Sequence, residues 1–313
     1  MTHGQNNLIV DSGISERIDK YLHRVFPDYS RTFLQEMVSC GKVKLNGHIT
    51  TKKTIVSEGN QIEIQWPEKI DSSLLLPEDF NFTILYEDDD LLVIDKPAGI
   101  VVHPAAGNHS GTVVNALLGR DENFIENVTE ENADELSLNR PGIVHRLDKD
   151  TSGCLVIAKN VVSKAKLSES FSSRKVNKIY KAIVIGKPPK QREKIETLIG
   201  RHHIHRQKMA VVNHNGRDAI TIYDLVRSFV YKEVTLSLLD VQILTGRTHQ
   251  IRVHLAHKKL PVLGDKIYGG KQSISAPRQM LHAWKIEFPH PSTNELLSIE
   301  CPLPEDFQKF IEP

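Results

Sequence analysis

An aspartate placed where a loop enters a buried strand is the side chain in this sequence best suited to nucleophilic or acid-base chemistry. Asp148 lies in Pro141-Gly-Ile-Val-His-Arg-Leu-Asp-Lys-Asp-Thr-Ser-Gly153, which runs directly into the apolar Cys154-Leu-Val-Ile-Ala158. That run reads as a buried strand, so the carboxylate ahead of it is held rigidly at a sheet edge. Asp150 follows two residues later with only Lys149 between, and nothing nearby offers the separation that paired-carboxylate glycosidases need. One carboxylate is therefore the main actor, although an Asp ahead of Thr-Ser-Gly, taken alone, would also serve to cap a turn. The histidines of Arg201-His-His-Ile-His-Arg206-Gln-Lys208 invite a zinc reading, but they lack Cys partners and an H-E-x-x-H helix, and no metal is expected. Cys40, Cys154 and Cys301 are widely spaced and form no C-x-x-C pair, so reduced thiols are expected rather than disulfides.

The elements around Asp148 carry further motifs. These are Asp95-Lys-Pro-Ala-Gly99 with His103-Pro104 upstream, Arg174-Lys-Val-Asn-Lys-Ile-Tyr180 downstream, and Thr245-Gly-Arg-Thr-His-Gln-Ile-Arg-Val-His-Leu255 beyond. Together with His145-Arg146-Leu147-Asp148 and Thr151-Ser152-Gly153, they resemble the large-subunit ribosomal RNA pseudouridine synthases of the type D class, in the family's order and over most of residues 81 to 290. The resemblance implies an enzyme that isomerises uridine in RNA to pseudouridine, a reaction with no redox change, for which no cofactor is expected. It makes Asp148 the nucleophile and places Tyr180 against the flipped uracil, where the ring stacks and the hydroxyl serves proton transfer at C5. Whether the carboxylate attacks the ribose, adds to the base or abstracts a proton stays open. A desolvated nucleophile needs a compensating cation, and Arg252 matches the family's place for it. A buried uridine has to be extruded and its space filled, a wedge role that the resemblance gives to Arg146. Lys149, Lys96, Arg247 and His249 are expected at phosphates, and residues 201 to 208 as a basic arm over the substrate.

The rest of the chain supplies the scaffold. Ile18, Leu22 and Val25 fall at helical spacing, and Ser30 caps a second helix carrying Phe33, Leu34, Met37 and Val38. Gly41 ends it, and Asn46-Gly47 makes a short hairpin with strands at Val43, Leu45 and Ile49. This module resembles the S4 RNA-binding domain through Arg17 to Leu22, Ser30-Arg31 and Gly41 to Gly47. Arg31, Lys42 and Lys44 are its expected phosphate contacts. Farther on, strands at 82 to 86 and 91 to 94 flank an acidic turn, and Ile100 to Val102 resume the second strand. Asp121 to Ser137 reads as a flexible or weakly helical insertion. Asn160 caps a helix reaching Arg174 with Val161, Ala165 and Phe171 inward, Asn215-Gly216 marks a turn, and Thr248 caps the helix of Arg252.

At 313 residues the chain is long enough for two domains. The expected division is a flexible tail at 1–13, an S4-like domain at 14–66, a linker at 67–80 and a catalytic domain at 81–313. The expected fold is α+β, its catalytic domain built on a mixed, largely antiparallel sheet with a central cleft as the resemblance implies. No apolar run is long enough to span a bilayer and the start lacks a signal pattern, so a cytoplasmic monomer is expected. The net charge of +1 hides two acidic segments, 68–90 and 121–138, each at −7, which leave the remainder at +15. That balance permits an RNA partner, the large ribosomal subunit RNA above all, while transfer RNA stays open. A non-catalytic RNA-binding or ribosome-assembly factor and an RNA N-glycosidase are the competing functions.

Overall fold

The computed structural model describes residues 5–27, 29, 31–66, 76–104, 110–129, 140–203, 205 and 208–311. They fall into two compact units, one made by the described residues up to 66 and the other by those from 76 onward.

In the first unit, helix α1 (Ile18–Val25) buries Ile18, Tyr21 and Leu22, one stripe at the i, i+3, i+4 spacing, and α2 (Arg31–Ser39) turns Leu34, Met37 and Val38 into the same core. Gly41 at φ +72° ends α2. Asn46 and Gly47, both at positive φ, then close the hairpin of β3 (Val43–Leu45) and β4 (His48–Ile49), the geometry that a two-residue turn of the mirror-image type demands. Ile62 and Ile64 alternate inward along β6 (Gln61–Gln65). Two features depart from expectation. The tail is not free over its whole length, because β1 (Gln5–Ile9) pairs antiparallel with β6 and sets the sheet order β1-β6-β3-β4; a strand this polar is recruited by a partner edge, not by its own pattern. A separate two-stranded sheet joins β2 (Ser15–Arg17) to β5 (Ile55–Ser57). The expected cap Ser30 lies outside the described residues.

The second unit is organised by a ten-stranded sheet, mixed but almost wholly antiparallel. It begins with the hairpin β7 (Thr83–Glu87) and β8 (Leu91–Lys96), to which the seven wholly buried residues of β9 (Ser152–Ala158) add an antiparallel third strand. The other half holds β10 (Asn177–Ile185), β11 (Arg192–Arg201), β12 (Met209–Val212), β13 (Arg217–Tyr231) and β14 (Val234–Ile243) in the order β12-β11-β13-β14-β10. The strand β15 (Leu281–Pro289) joins the halves. It pairs antiparallel with β10 and, toward its C-terminal end, with β16 (Leu296–Glu300), while its first residues make a short parallel contact to β9 through His282 to Ser152 and Ala283 to Gly153. Helices α3 (Val113–Arg120), α4 (Phe124–Val128), α5 (Val161–Ser172), α6 (Gln250–His257) and α7 (Glu305–Ile311) complete the α+β unit.

Three expectations need correction here. Residues 100 to 102 do not resume a strand; Val101 makes one isolated bridge to Thr112, and its carbonyl accepts the first amide of α3. The segment after Asp121, expected as flexible or weakly helical, begins as the short helix α4, docked by buried Phe124 and Val128, and its residues 130–137 lie outside the described residues. At the end of the expected linker, Leu76 O accepts from Asn115 Nδ2 at 2.9 Å and the Glu78 amide donates to Asn115 O at 3.0 Å; residues 67–75 lie outside the described residues. Asn160 does cap α5, accepting from the Ser163 amide at 2.8 Å, but Ala165 is exposed and Ser163 and Leu167 are the buried positions.

Candidate active site

The loop carrying Asp148 is fixed by its carbonyls. Lys96, the last residue of β8, has no exposed surface and donates through Nζ to Pro97 O at 2.7 Å, Ile100 O at 2.9 Å and Lys149 O at 3.1 Å. The Gly99 amide adds a second bond to Lys149 O. From β15's side, Arg278 Nη1 donates to Asp150 O at 3.1 Å while its Nε and Nη2 grip Asp306 of α7, and Gln279 Nε2 donates to Thr151 Oγ1 at 3.0 Å. Two buried cations thus hold consecutive peptide oxygens immediately after the aspartate, interactions that are strong because one partner is charged and water is excluded. Burial drives the Lys96 ammonium down to about 7 against the opposing pull of Asp150 and Asp148. On the other side of the loop, His145 Nε2 accepts the Val156 amide at 2.8 Å, which fixes the tautomer with the proton on Nδ1, and its ring stacks on Phe171. Burial together with the charge of Lys178 keeps that imidazole neutral, at about 3.

Arg252, 4% exposed on α6, faces Asp148 and donates through Nη1 to its Oδ2 at 2.9 Å. The rest of the guanidinium is held by Asp265, which accepts from Nε at 2.8 Å and from Nη2 at 3.0 Å in a bidentate fork. The amides of Ile267 and Tyr268 cap Asp265 Oδ1 in turn. Burial alone would depress the Arg252 guanidinium, but the carboxylates of Asp265 and Asp148 outweigh it and raise it. Burial would likewise raise Asp265, and the bonds and charge from Arg252 lower it instead. A hydrogen-bonded side chain steadies the helix itself: Gln250 accepts from Thr245 Oγ1 and the Arg247 amide and donates to Ile220 O and Thr221 Oγ1. His249, not Thr248, is the N-cap, in the left-handed region at φ +56°. Its Nε2 stands 4.0 Å from Asp148 Oδ2, and its Nδ1 meets the Tyr268 hydroxyl at 2.8 Å. Burial lowers this imidazole, with the Asp148 charge opposing and Arg252 assisting. Asp148 itself is 19% exposed, and its second oxygen, Oδ1, has no hydrogen bond among the described residues.

Tyr180 sits on β10 opposite the irregularity where the pairing with β15 slips between Ile179 and Lys181, the kind of bulge that re-aims a side chain. It is 7% exposed and its hydroxyl has no partner among the described residues. Burial first, then the charge of Asp148, pushes the phenol above its ordinary range, so it is neutral at pH 7.

The structure therefore brings Asp148, Arg252, His249 and Tyr180 to one place and leaves Arg146 and Lys149 exposed beside them. Other expected contacts sit differently. Lys96 is not available to a phosphate, because its stem ends a buried strand and its ammonium is saturated by carbonyls. Arg247 is half-buried and folded back onto Asp218 O at 2.9 Å. In the first unit Lys42 and Lys44 are exposed, whereas Arg31 is tied to the wholly buried Asp19 at 2.7 Å along with Arg17 and Gln35. Of the expected basic arm, Ile204, Arg206 and Gln207 lie outside the described residues. Sequence reasoning did not single out Asp265, Tyr268, Arg278 or Gln279. An Asp beside a glycine reads as a turn, and only Arg278-Gln279 just ahead of the apolar start of β15 hinted at a buried polar pair.

Among the described residues, Asp88, Asp90 and His290 are the side chains grouped closely enough to hold a metal ion. All are already engaged. His290 Nδ1 accepts the amides of Ser292 and Thr293, so Nε2 carries the proton that goes to Asp88 at 2.8 Å, and Tyr86, Ser163 and Asn160 donate to the two carboxylates. The group is a staple of the β7–β8 turn, remote in sequence from Asp148.

Comparison with known proteins bears on this geometry. Residues 90–257 match the family described as RNA pseudouridylate synthase, and residues 16–62 match the S4 domain. The chain is 38% identical to ribosomal large subunit pseudouridine synthase D of Xanthomonas campestris pv. campestris over 97% of its own length and 90% of the relative's. It is 43% identical to an uncharacterized RNA pseudouridine synthase of Chlorobaculum parvum, over 95% of this chain and 93% of that one. Among solved structures, human RNA pseudouridylate synthase domain containing 1 superposes with a TM-score of 0.57 at 26% identity, covering 71% of this chain and 83% of the other.

Proposed function

The chain belongs to the RNA pseudouridylate synthase family, and from that premise we propose that it isomerises specific uridines of large-subunit ribosomal RNA, with Asp148 as the nucleophile. The observation that carries the assignment of Asp148 is the asymmetry of its carboxylate. Oδ2 is held by Arg252, itself locked by Asp265, while Oδ1 has no hydrogen bond among the described residues and the group is partly exposed. A carboxylate oriented through one oxygen and open at the other is pre-organised to meet a reacting carbon without first breaking a hydrogen bond. The preference for large-subunit ribosomal RNA rests on the names of relatives that match nearly the whole chain.

In the reaction the N1–C1′ bond breaks, the uracil turns within the site, C5 bonds to C1′, and the hydrogen displaced from C5 leaves as a proton while N1 gains one. Arg252 holds Asp148 Oδ2 in place and balances its charge as the base enters and water leaves. Tyr180 lies against the uracil and assists the proton transfer at C5; Arg146, exposed next to the nucleophile, fills the space that the extruded nucleotide vacates. Lys149 and His249 border the same entrance. The S4 unit adds Lys42 and Lys44 to the phosphate footprint, and Arg31 contributes chiefly by ordering Asp19.

The test is release of tritium from C5-labelled uridine in large-subunit ribosomal RNA, with the free bases analysed in parallel. A synthase releases tritium with no free uracil, an N-glycosidase liberates uracil, and a pure binder does neither. Absence of tritium release from Asp148→Asn, with release by the unmodified protein, is the expected pair of results; release at the normal rate by the variant removes Asp148 from the chemistry.

A further inference from the structure

Tyr268 touches three of the groups that surround Asp148. Its amide caps Asp265 Oδ1 at 3.0 Å, and the Arg252 guanidinium lies over its ring, 5.2 Å from the centroid. Its hydroxyl meets His249 Nδ1 at 2.8 Å, with the two rings edge to face at 5.7 Å. The same oxygen accepts the amide of Met209, the first residue of β12, at 2.9 Å. Lys208, next to Met209, donates through Nζ to Ile267 O at 2.9 Å, so the start of β12 and the Tyr268 loop are fastened together at adjacent residues. The ring itself packs on the cluster of Ile199, Ala219 and Val253.

Counting protons assigns the tautomer of His249. The Tyr268 oxygen receives the Met209 amide, and among the described residues His249 Nδ1 is the one acceptor for its own proton. A proton on Nδ1 would leave the Tyr268 O–H with no acceptor and would set the bare lone pair of Nε2 beside the Asp148 carboxylate, both unfavourable. With the proton on Nε2 instead, Tyr268 donates to Nδ1 and an N–H group stands 4.0 Å from Asp148 Oδ2. Burial keeps both side chains in the neutral forms that this arrangement requires, lowering the imidazole and raising the phenol. We propose that Tyr268 is a positioning residue for the isomerisation, whose hydroxyl fixes His249 as an Nε2–H donor to the nucleophile. The inference rests on the reading of Asp148 as that nucleophile. A gap of 4.0 Å is longer than a hydrogen bond, and catalytic contacts of this kind tighten when substrate displaces water. Once closed, Arg252 and His249 share Oδ2 and leave Oδ1 as the reacting oxygen.

The full chain, labelled with nitrogen-15 in its histidine rings, is read by long-range proton–nitrogen correlation, which separates a protonated ring nitrogen from a bare one. The His249 signals are identified by their loss in His249→Asn, since asparagine tolerates the left-handed backbone found there. The unmodified protein is expected to show Nδ1 bare and Nε2 protonated, and Tyr268→Phe, which keeps a ring beside Arg252, to average the two tautomers. A proton on Nδ1 in the unmodified protein, or a tautomer that Tyr268→Phe leaves unchanged, overturns the proposal. In single-turnover tritium release, Tyr268→Phe is expected to lower the rate at saturating protein about tenfold, the scale of one hydrogen bond, and to move the half-saturating concentration by no more than about twofold. A loss confined to half-saturation overturns the assignment. In a His249→Asn background the same substitution is expected to lower the rate no further, because the group through which the hydroxyl acts is gone; a loss of the same size there means that Tyr268 works by another route, and the proposal fails. Normal turnover by Asp148→Asn would defeat the nucleophile reading, whereas the tautomer of His249, read without turnover, is judged apart from it.

Discussion

The chemistry turns on how few freedoms Asp148 retains. Its Oδ2 is bound to a guanidinium that cannot swing away, since Asp265 occupies the other edge of the fork. Arg252→Lys keeps the charge but cannot serve both carboxylates with a planar fork. The expected outcome is a folded protein whose single-turnover rate on RNA falls roughly 100-fold, the scale for losing one pre-organised donor; a rate near the unmodified one would sink the pairing as a catalytic feature. Tyr180→Phe separates two roles. RNA binding is expected to persist within about twofold, because the ring supplies the stacking, while product formation is lost with the hydroxyl; full activity excludes the proton role. Arg252 was legible as a motif residue, but Asp265 was not, since an ion pair spanning a loop has no sequence period. Lys96 was legible as a cation and misread as a solvent-facing one. Lysines at loop starts are usually solvated, and only the three carbonyls converging on its Nζ reveal a buried post for the nucleophile's loop.

The elements explain why that loop is rigid. β9 and β15 meet in parallel for two residue pairs, and at the meeting Gly153 adopts φ +112° with its α-carbon pressed on the Ala283 backbone. A β-carbon there would lie 2.3 Å from Ala283 O. Gly153→Ala therefore combines a backbone conformation forbidden to L side chains with a backbone collision, and is expected to destabilise the catalytic unit by roughly 3 kcal/mol or more. Thermal unfolding reads the result; an unaltered midpoint with normal activity would show that the junction yields. Local signals found the β3–β4 hairpin, because Asn46-Gly47 carries its turn chemistry in the residue types themselves; Asn215-Gly216 instead links β12 to β13, which lie on either side of β11. Those signals could not find the β9–β15 contact, whose partners are about 130 residues apart, or the pairing of β1 with β6. They also put the cap of α6 one residue early: Thr248 has the preferred chemistry, but His249 holds the left-handed turn that delivers its imidazole to Asp148.

At the scale of the molecule, charge and core are partitioned in the same way. Among the described residues, one apolar cluster of the first unit runs up to Trp66, and clusters of the second run from Leu85 onward. Chemistry and affinity can then be varied independently: every residue assigned to the reaction lies after position 140, whereas the exposed Lys42 and Lys44 lie in the S4 unit. If those lysines meet RNA phosphates, each contributes about 0.9 to the logarithmic salt slope on a duplex stem. The double change Lys42→Glu and Lys44→Glu is expected to lower that slope by about 2 and weaken binding to a structured ribosomal RNA fragment, while the single-turnover rate at saturating protein stays within about twofold, because no residue assigned to the reaction has altered. Filter binding over a salt series, beside single-turnover tritium release, makes the measurement. A slope that does not move would take both lysines out of the RNA footprint, and a rate that falls at saturation would mean that the S4 unit positions the substrate and does not merely hold it.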